Sequence, residues 1–147
     1  MKEFYAFFQQ EPSYFVDKSI IRKKYLEQIK NYQNEQNLEQ LSLLHTAYKT
    51  LMDDELRLEY LLKLWKIIDN DDNNETKLSN EFLLYIMDLN ESIELGNENA
   101  FNDAQKLLDE NFAKILQLLD QPLNIENKKQ LSQLYSERKY LKRIIKN

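Results

Sequence analysis

Apolar residues recur along this chain at steps of three and four, the spacing that gathers them on one face of an α-helix. Phe4, Phe7 and Phe8 open the pattern as a short aromatic helix. Pro12, in the connector EPSYFVD, is expected to stop that helix, and Asp17 is a good N-cap for the next. In the second helix Ile20, Ile21, Tyr25, Ile29 and Tyr32 form an apolar stripe with lysines opposite. A third begins at about Leu38 and carries Leu41, Leu44, Tyr48 and Leu51. A fourth, DDELRLEYLLKLWKI, is capped by Asp53 or Asp54 and packs Leu56, Tyr60, Leu61 and Leu64.

The stretch DNDDNNETKLSN, residues 69–80, interrupts the pattern. It is polar, acidic and rich in turn formers, so it reads as a linker. Three longer helical patterns follow. NEFLLYIMDLNESIEL is capped by Ser79 or Asn80, with Gly96 as a natural C′ residue. ENAFNDAQKLLDENFAKILQLLD is ended by Pro122, and IENKKQLSQLYSERKYLKRIIKN closes the chain. Short loops imply antiparallel neighbours, hence a bundle. The expected architecture is all-α: a helical domain over 1–68, a linker over 69–80 and a three-helix bundle over 81–147.

Composition supports long helices, since a single Gly and two Pro leave little for hairpins and tight turns. The absence of Cys excludes a disulfide scaffold, a thiolate metal site and a cysteine nucleophile. The opening MKEFYAFFQQEP has no long apolar core, so it does not read as a signal peptide. A cytoplasmic protein is expected, and no apolar run is long enough for a membrane partner. A net charge of −5 argues against a nucleic-acid partner, which needs a basic surface. Basic blocks do occur, at Lys18–Lys30 and Arg138–Lys146, and such blocks read as solvated helix faces.

Catalytic chemistry is not in evidence. His45 is the one histidine, and without Cys it makes no conventional metal site. No nucleophile elbow or Gly-rich phosphate loop is present, and the carboxylates Asp71 and Asp72 lie in the polar linker with nothing to raise a pKa. An enzyme, a metal site and a cofactor are not expected; a binding protein is. The most informative segment for binding is EFLLYIMDLNESIEL. Phe82, Ile86, Leu89 and Ile93 alone supply a core seam. Leu83, Leu84 and Met87 are apolar as well and extend toward Asp88 and Glu91. Two readings follow: the helix is buried on two sides, or it bears an exposed apolar patch fringed by acids, as a partner site would.

Several of these runs together resemble the HscB-type co-chaperones of iron–sulfur cluster assembly. EFYAFF is similar to that family's opening helix, PSYFVD to the loop after it, and YLEQIKNY to its second helix. LHTAYKTLMDDELRLEYLL, EFLLYIMDLNESIEL and RKYLKRI resemble later family segments in the same order. The resemblance implies an N-terminal J-like domain that engages an Hsp70 chaperone. It further implies a C-terminal bundle that binds the cluster scaffold protein (IscU-type). Carried over by position, the scaffold-binding patch comprises Leu83, Leu84, Met87, Asp88, Glu91 and Tyr140. Ser92 and Leu95 replace acids of the family pattern. No cluster is expected on the chain itself, which has no cysteine ligands.

One departure is central. The family's His-Pro-Asp signal, which engages Hsp70, would fall on Gln33, Asn34 and Glu35, and all three residues differ. The segment from Gln36 to Leu43 is also shorter than in the family. With no helix breaker there, the second helix can run on past Tyr32. Lys24 and Lys30 remain where family members present basic residues to Hsp70. The resemblance thus implies scaffold binding with stimulation of the Hsp70 ATPase lost or weakened. The alternative is a non-enzymatic adaptor that keeps the J-like fold as scaffold and binds an unrelated helix or peptide.

Overall fold

The computed structural model describes residues 3–69 and 78–146, and every regular element among them is an α-helix. These are α1 (Glu3–Ala6), α2 (Lys18–Asn34), α3 (Leu38–Met52), α4 (Asp54–Leu64), α5 (Asn80–Glu94), α6 (Glu98–Leu119) and α7 (Ile125–Lys146). Contacts divide the chain into two compact units, residues 1–68 and 69–147. Most of the expected linker, including Asp71 and Asp72, lies outside the described residues. At its far edge Leu78 is buried and Ser79 caps α5, accepting from the Phe82 N–H at 3.1 Å.

In the first unit α2 and α3 pair, while α1 and α4 both pack on α3. Asp17 starts α2 by accepting from the Ser19 N–H at 3.0 Å. The Ser19 hydroxyl, donating to the same carboxylate, and then the Ile20 N–H draw the Asp17 carboxyl below its ordinary pKa. Asp53, the nearer of the two expected caps, starts α4 with two bonds of 2.9 Å. The core is built from Tyr5, Phe8, Ile21, Leu44, Leu51, Leu58 and Leu61, all fully buried.

The first helix is shorter than its sequence pattern suggests. It ends at Ala6, well before Pro12, in a turn where Gln9 takes a φ of 53°. Pro12 therefore does not stop it. The cause is packing: Phe8 is fully buried, and Phe7 meets the edge of Tyr32 at 6.3 Å, so leaving the helix seats both rings. Two expected packing residues, Ile20 and Leu56, are exposed, as is Leu38 at the expected start of the third helix. For Leu56 the reason is clear: α4 buries the face of Arg57, Leu58, Leu61 and Leu62, which turns Leu56 outward.

Arg57 is the feature that sequence pattern did not announce. Its guanidinium is buried and donates to the Tyr14 carbonyl (2.8 Å), the Leu51 carbonyl (2.8 Å) and Asp54 Oδ1 (2.9 Å). It also stands 4.4 Å from the centre of the Tyr14 ring. Those carbonyls lie in a loop and at a helix end, where no helical partner exists for them, and a forked cation satisfies both.

In the second unit α6 and α7 form the main pair and α5 packs on each. Its core joins Ile86 and Leu89 of α5 to Ala100 and Ala104 of α6 and Leu141 and Ile144 of α7, with Phe82 and Ile93 against it. The expected seam of α5 is therefore the seam observed. Gly96 ends α5 at φ 86°, with its N–H on the Ile93 carbonyl (2.9 Å) and the Asn97 N–H on the Ser92 carbonyl (3.0 Å). That double bond pattern is the Schellman turn, which favours glycine.

Candidate functional site

The residues singled out by the sequence fall into two sets, one in each unit. On α5 the four core residues occupy one face, so the opposite face is left to solvent. Leu84, Met87, Glu91 and Leu95 follow one another there at steps of three, four and four, with Asp88 beside them. Leu84 is 61% exposed, Met87 66% and Leu95 82%. Asp88 and Glu91 are exposed as well. Leu83 is half-buried, on the flank between the core face and the solvent face. Of the two readings of this helix, the exposed patch applies to Leu84 and Met87, and Leu83 contributes only its edge.

Tyr140 comes from α7, which packs directly on α5. Its ring is partly exposed and carries the Arg143 guanidinium at 5.3 Å. Sequence reasoning did not pick out Tyr85, a further exposed aromatic on α5. Its signal was available: it lies outside the Phe82–Ile86–Leu89–Ile93 seam, so the core has no use for it.

Single exposed apolar side chains are ordinary, but a line of them on one helix is not. Covering a Leu or Met completely is worth about 1.5–3 kcal/mol each. Acids beside such anchors favour a partner with basic groups at the same register.

The second set lies at the α2–α3 turn. Gln33 and Asn34 are the last helical residues of α2, and Glu35 is its C-cap. The helix does continue past Tyr32. Gln36 then takes a φ of 53°, its N–H reaching the Gln33 carbonyl at 3.1 Å, while the Asn37 N–H reaches the Tyr32 carbonyl at 3.0 Å. Asn37 next caps α3 by accepting from the Gln40 N–H at 3.2 Å. A turn without Gly or Pro is thus made by a Schellman geometry on Gln36 and an Asn cap one residue later. Gln33 and Asn34, which the resemblance places at the signal motif, are wound into helix rather than displayed in a loop.

The basic residues beside this turn differ from one another. Lys24 donates to Gln9 Oε1 at 2.9 Å and is half-buried, whereas Lys30 is exposed. His45 hydrogen-bonds Tyr25 through Nδ1 at 2.8 Å, and Tyr25 stacks on Tyr48 with centroids 3.8 Å apart. The histidine is thus exposed and tied to Tyr25 at the surface of the α2–α3 pair. Beside it a groove of about 410 Å³ runs between α2 and α3, lined by Ile29, Gln33, Leu38 and Leu41 among others. No group of His, Asp and Glu side chains that could hold a metal ion occurs among the described residues. No helix there is long and apolar enough to cross a membrane.

No family model matches the chain. It is similar to the mitochondrial J-type co-chaperone JAC1 of Saccharomyces cerevisiae, with 29% identity over 136 residues, covering 88% of this chain and 68% of that protein. This distant likeness runs across both units and supports a relationship to J-type proteins.

Proposed function

We propose that this protein is a co-chaperone-like component of iron–sulfur cluster assembly that binds the cluster scaffold protein. Binding occurs through the outer face of α5, with Leu84 and Met87 as anchors, Leu83 at the edge, Asp88 and Glu91 setting register, and Tyr140 contributed by α7. The reading requires no catalytic step and no bound metal or cofactor. The observation that carries it is the exposure of Leu84 and Met87 beside two acids on a helix whose core seam is complete without them. The J-type relative lends it support across both units. In the same proposal, Gln33, Asn34 and Glu35 leave stimulation of an Hsp70 ATPase lost or weakened, with Lys24 and Lys30 as remnants of an Hsp70-facing surface. The compartment is then that of the scaffold: cytoplasmic by the sequence reading, though the relative is a mitochondrial protein.

Calorimetry against the scaffold protein of the same organism tests this. Wild type binds, and a Leu84→Ala/Met87→Ala double variant of unchanged helicity loses at least ~2 kcal/mol, the size of a central hot spot. An Hsp70 ATPase rise equal to that given by an intact J protein would sink the second half of the proposal.

A second reading, an adaptor for an unrelated helix or peptide, draws on the groove between α2 and α3 beside the altered turn. Absence of scaffold binding, with a peptide held at Leu38 and Leu41 instead, selects it.

A further inference from the structure

The α6–α7 pair bears a second groove, away from the α5 face. α5 has 15 residues, whereas α6 and α7 have 22 each. At 1.5 Å per residue the shortfall leaves about 10 Å of the pair without α5 across it. The core contacts agree: α5 packs with Ala100, Ala104, Leu141 and Ile144, toward the opposite end of the hairpin. In the uncovered stretch lies a groove of about 510 Å³. Leu118 and Leu134, both half-buried, supply its apolar surface.

The rim of this groove has one sign of charge. The protein carries a net charge of −5, yet the only charged groups lining the groove are Lys114 and Lys129. Neither forms an ion pair among the described residues, unlike Lys18, Arg57 and Lys63. Glu137 lies near enough for Lys114 to act on its carboxyl, but burial dominates and holds its pKa above the ordinary range. Glu137 does not line the groove. Four glutamines complete the lining, and Gln130 is the one with an internal bond, to Glu126 at 3.3 Å. Gln117, Gln121 and Gln133 have amides available to a ligand.

We propose that this groove docks an acidic segment of a partner protein in which carboxylates alternate with apolar side chains. The apolar side chains rest on Leu118 and Leu134. The carboxylates face Lys114 and Lys129, and the glutamine amides pair with the backbone of the segment. The site is separate from the α5 face, and its occupancy does not depend on scaffold binding.

The test uses the full chain, a labelled single-stranded oligonucleotide and three labelled peptides: alternating Leu and Glu, alternating Leu and Lys, and alternating Ser and Glu. Fluorescence anisotropy gives affinity, and amide chemical shifts of the unmodified protein give the location. The Leu–Glu peptide binds, shifting Leu118, Leu134 and their neighbours, and the other two peptides bind at least about tenfold more weakly. A Lys114→Glu/Lys129→Glu variant weakens the Leu–Glu peptide by about tenfold or more, while Lys114→Arg/Lys129→Arg retains it. Both lysines are exposed, so the variants keep their helicity. No binding, equal binding of the Ser–Glu peptide, shifts confined to α5, or preference for a single-stranded oligonucleotide would each overturn the proposal. Shifts in the groove of the unmodified protein decide the matter even if a variant misfolds.

Discussion

Each unit buries an arginine, and the two are held differently. Arg57 makes charge-assisted bonds of 2.8–2.9 Å to two carbonyls and a carboxylate. Arg138 lies over the Phe112 ring at 4.7 Å, and its Nη1 is 3.4 Å from the Leu108 carbonyl and from Asn111 Oδ1. Asn111 in turn holds the Leu134 carbonyl at 2.9 Å. The difference follows from what surrounds each. The first unit has an irregular stretch between α1 and α2 whose carbonyls need donors. The second is long regular helix, where the backbone supplies most of its own donors, and there the Arg138 guanidinium lies against the Phe112 ring and the Asn111 side chain.

The sharpest test of that contrast removes each guanidinium. Arg57→Met strips donors from two carbonyls and breaks the bond to Asp54, so the first unit should lose ~3–5 kcal/mol. Arg138→Met keeps much of the volume and gives up bonds of 3.4 Å and the contact with the Phe112 ring, so the second unit should lose less, ~1–2 kcal/mol. Trp65, the one tryptophan, lies in the first unit, so its fluorescence during urea unfolding follows Arg57→Met, while far-UV signal follows both units. Equal losses at the two positions would remove the distinction.

The helix ends give a smaller contrast. Schellman turns in the first unit place Gln9, Gln36 and Lys66 at positive φ, whereas the second unit uses Gly96. Gln36→Gly should stabilise by ~0.5–1 kcal/mol through relief of the left-handed backbone. Gly96→Ala should cost ~1 kcal/mol for the same reason read backwards, because a Cβ there meets no atom within 4 Å. Thermal melts of the two variants should move in opposite directions.

Acid separates the units by the least energy but in sign. The Arg57 hydrogen bond holds the Asp54 carboxyl below its ordinary 3.8. Its contribution is present above that value and fades as pH falls through the lower folded-state value. Asp54 is more than half exposed, so the effect is small. Burial raises Glu137 above its ordinary 4.5. There the folded state holds the proton more tightly, so the second unit gains stability as pH falls from above the folded value toward 4.5. Asp54→Asn should flatten the first response and Glu137→Gln the second, in melts followed across that range.

Much of this organisation could be read from residue spacing, and the exceptions share a cause. The seam Phe82–Ile86–Leu89–Ile93, the caps Asp17, Asp53 and Ser79, and the stop at Gly96 all depend on residues within one turn of each other. Spacing alone left the outer face of α5 open, because it locates a stripe but not what covers the stripe's margin. Ile20, Leu38 and Leu56 failed on the same ground. Arg138 was read with the solvated basic block of the last helix, and Arg57 entered only as part of the run LHTAYKTLMDDELRLEYLL, with no role of its own. A cation buried by residues 43 positions away has no local signature. Nor does a left-handed Gln36, which differs from any other glutamine only in its dihedral angle.

The bond from Arg57 to the Tyr14 carbonyl has a consequence in time as well as in energy. The chain is made from its N-terminus, and Tyr14 leaves the ribosome long before Arg57 does. Until then the opening segment can already set Phe7 against Tyr32, but the Tyr14 carbonyl lacks its Arg57 donor. The packing of the first unit is therefore complete only once α4 has emerged and can bring Arg57 to the Tyr14 and Leu51 carbonyls.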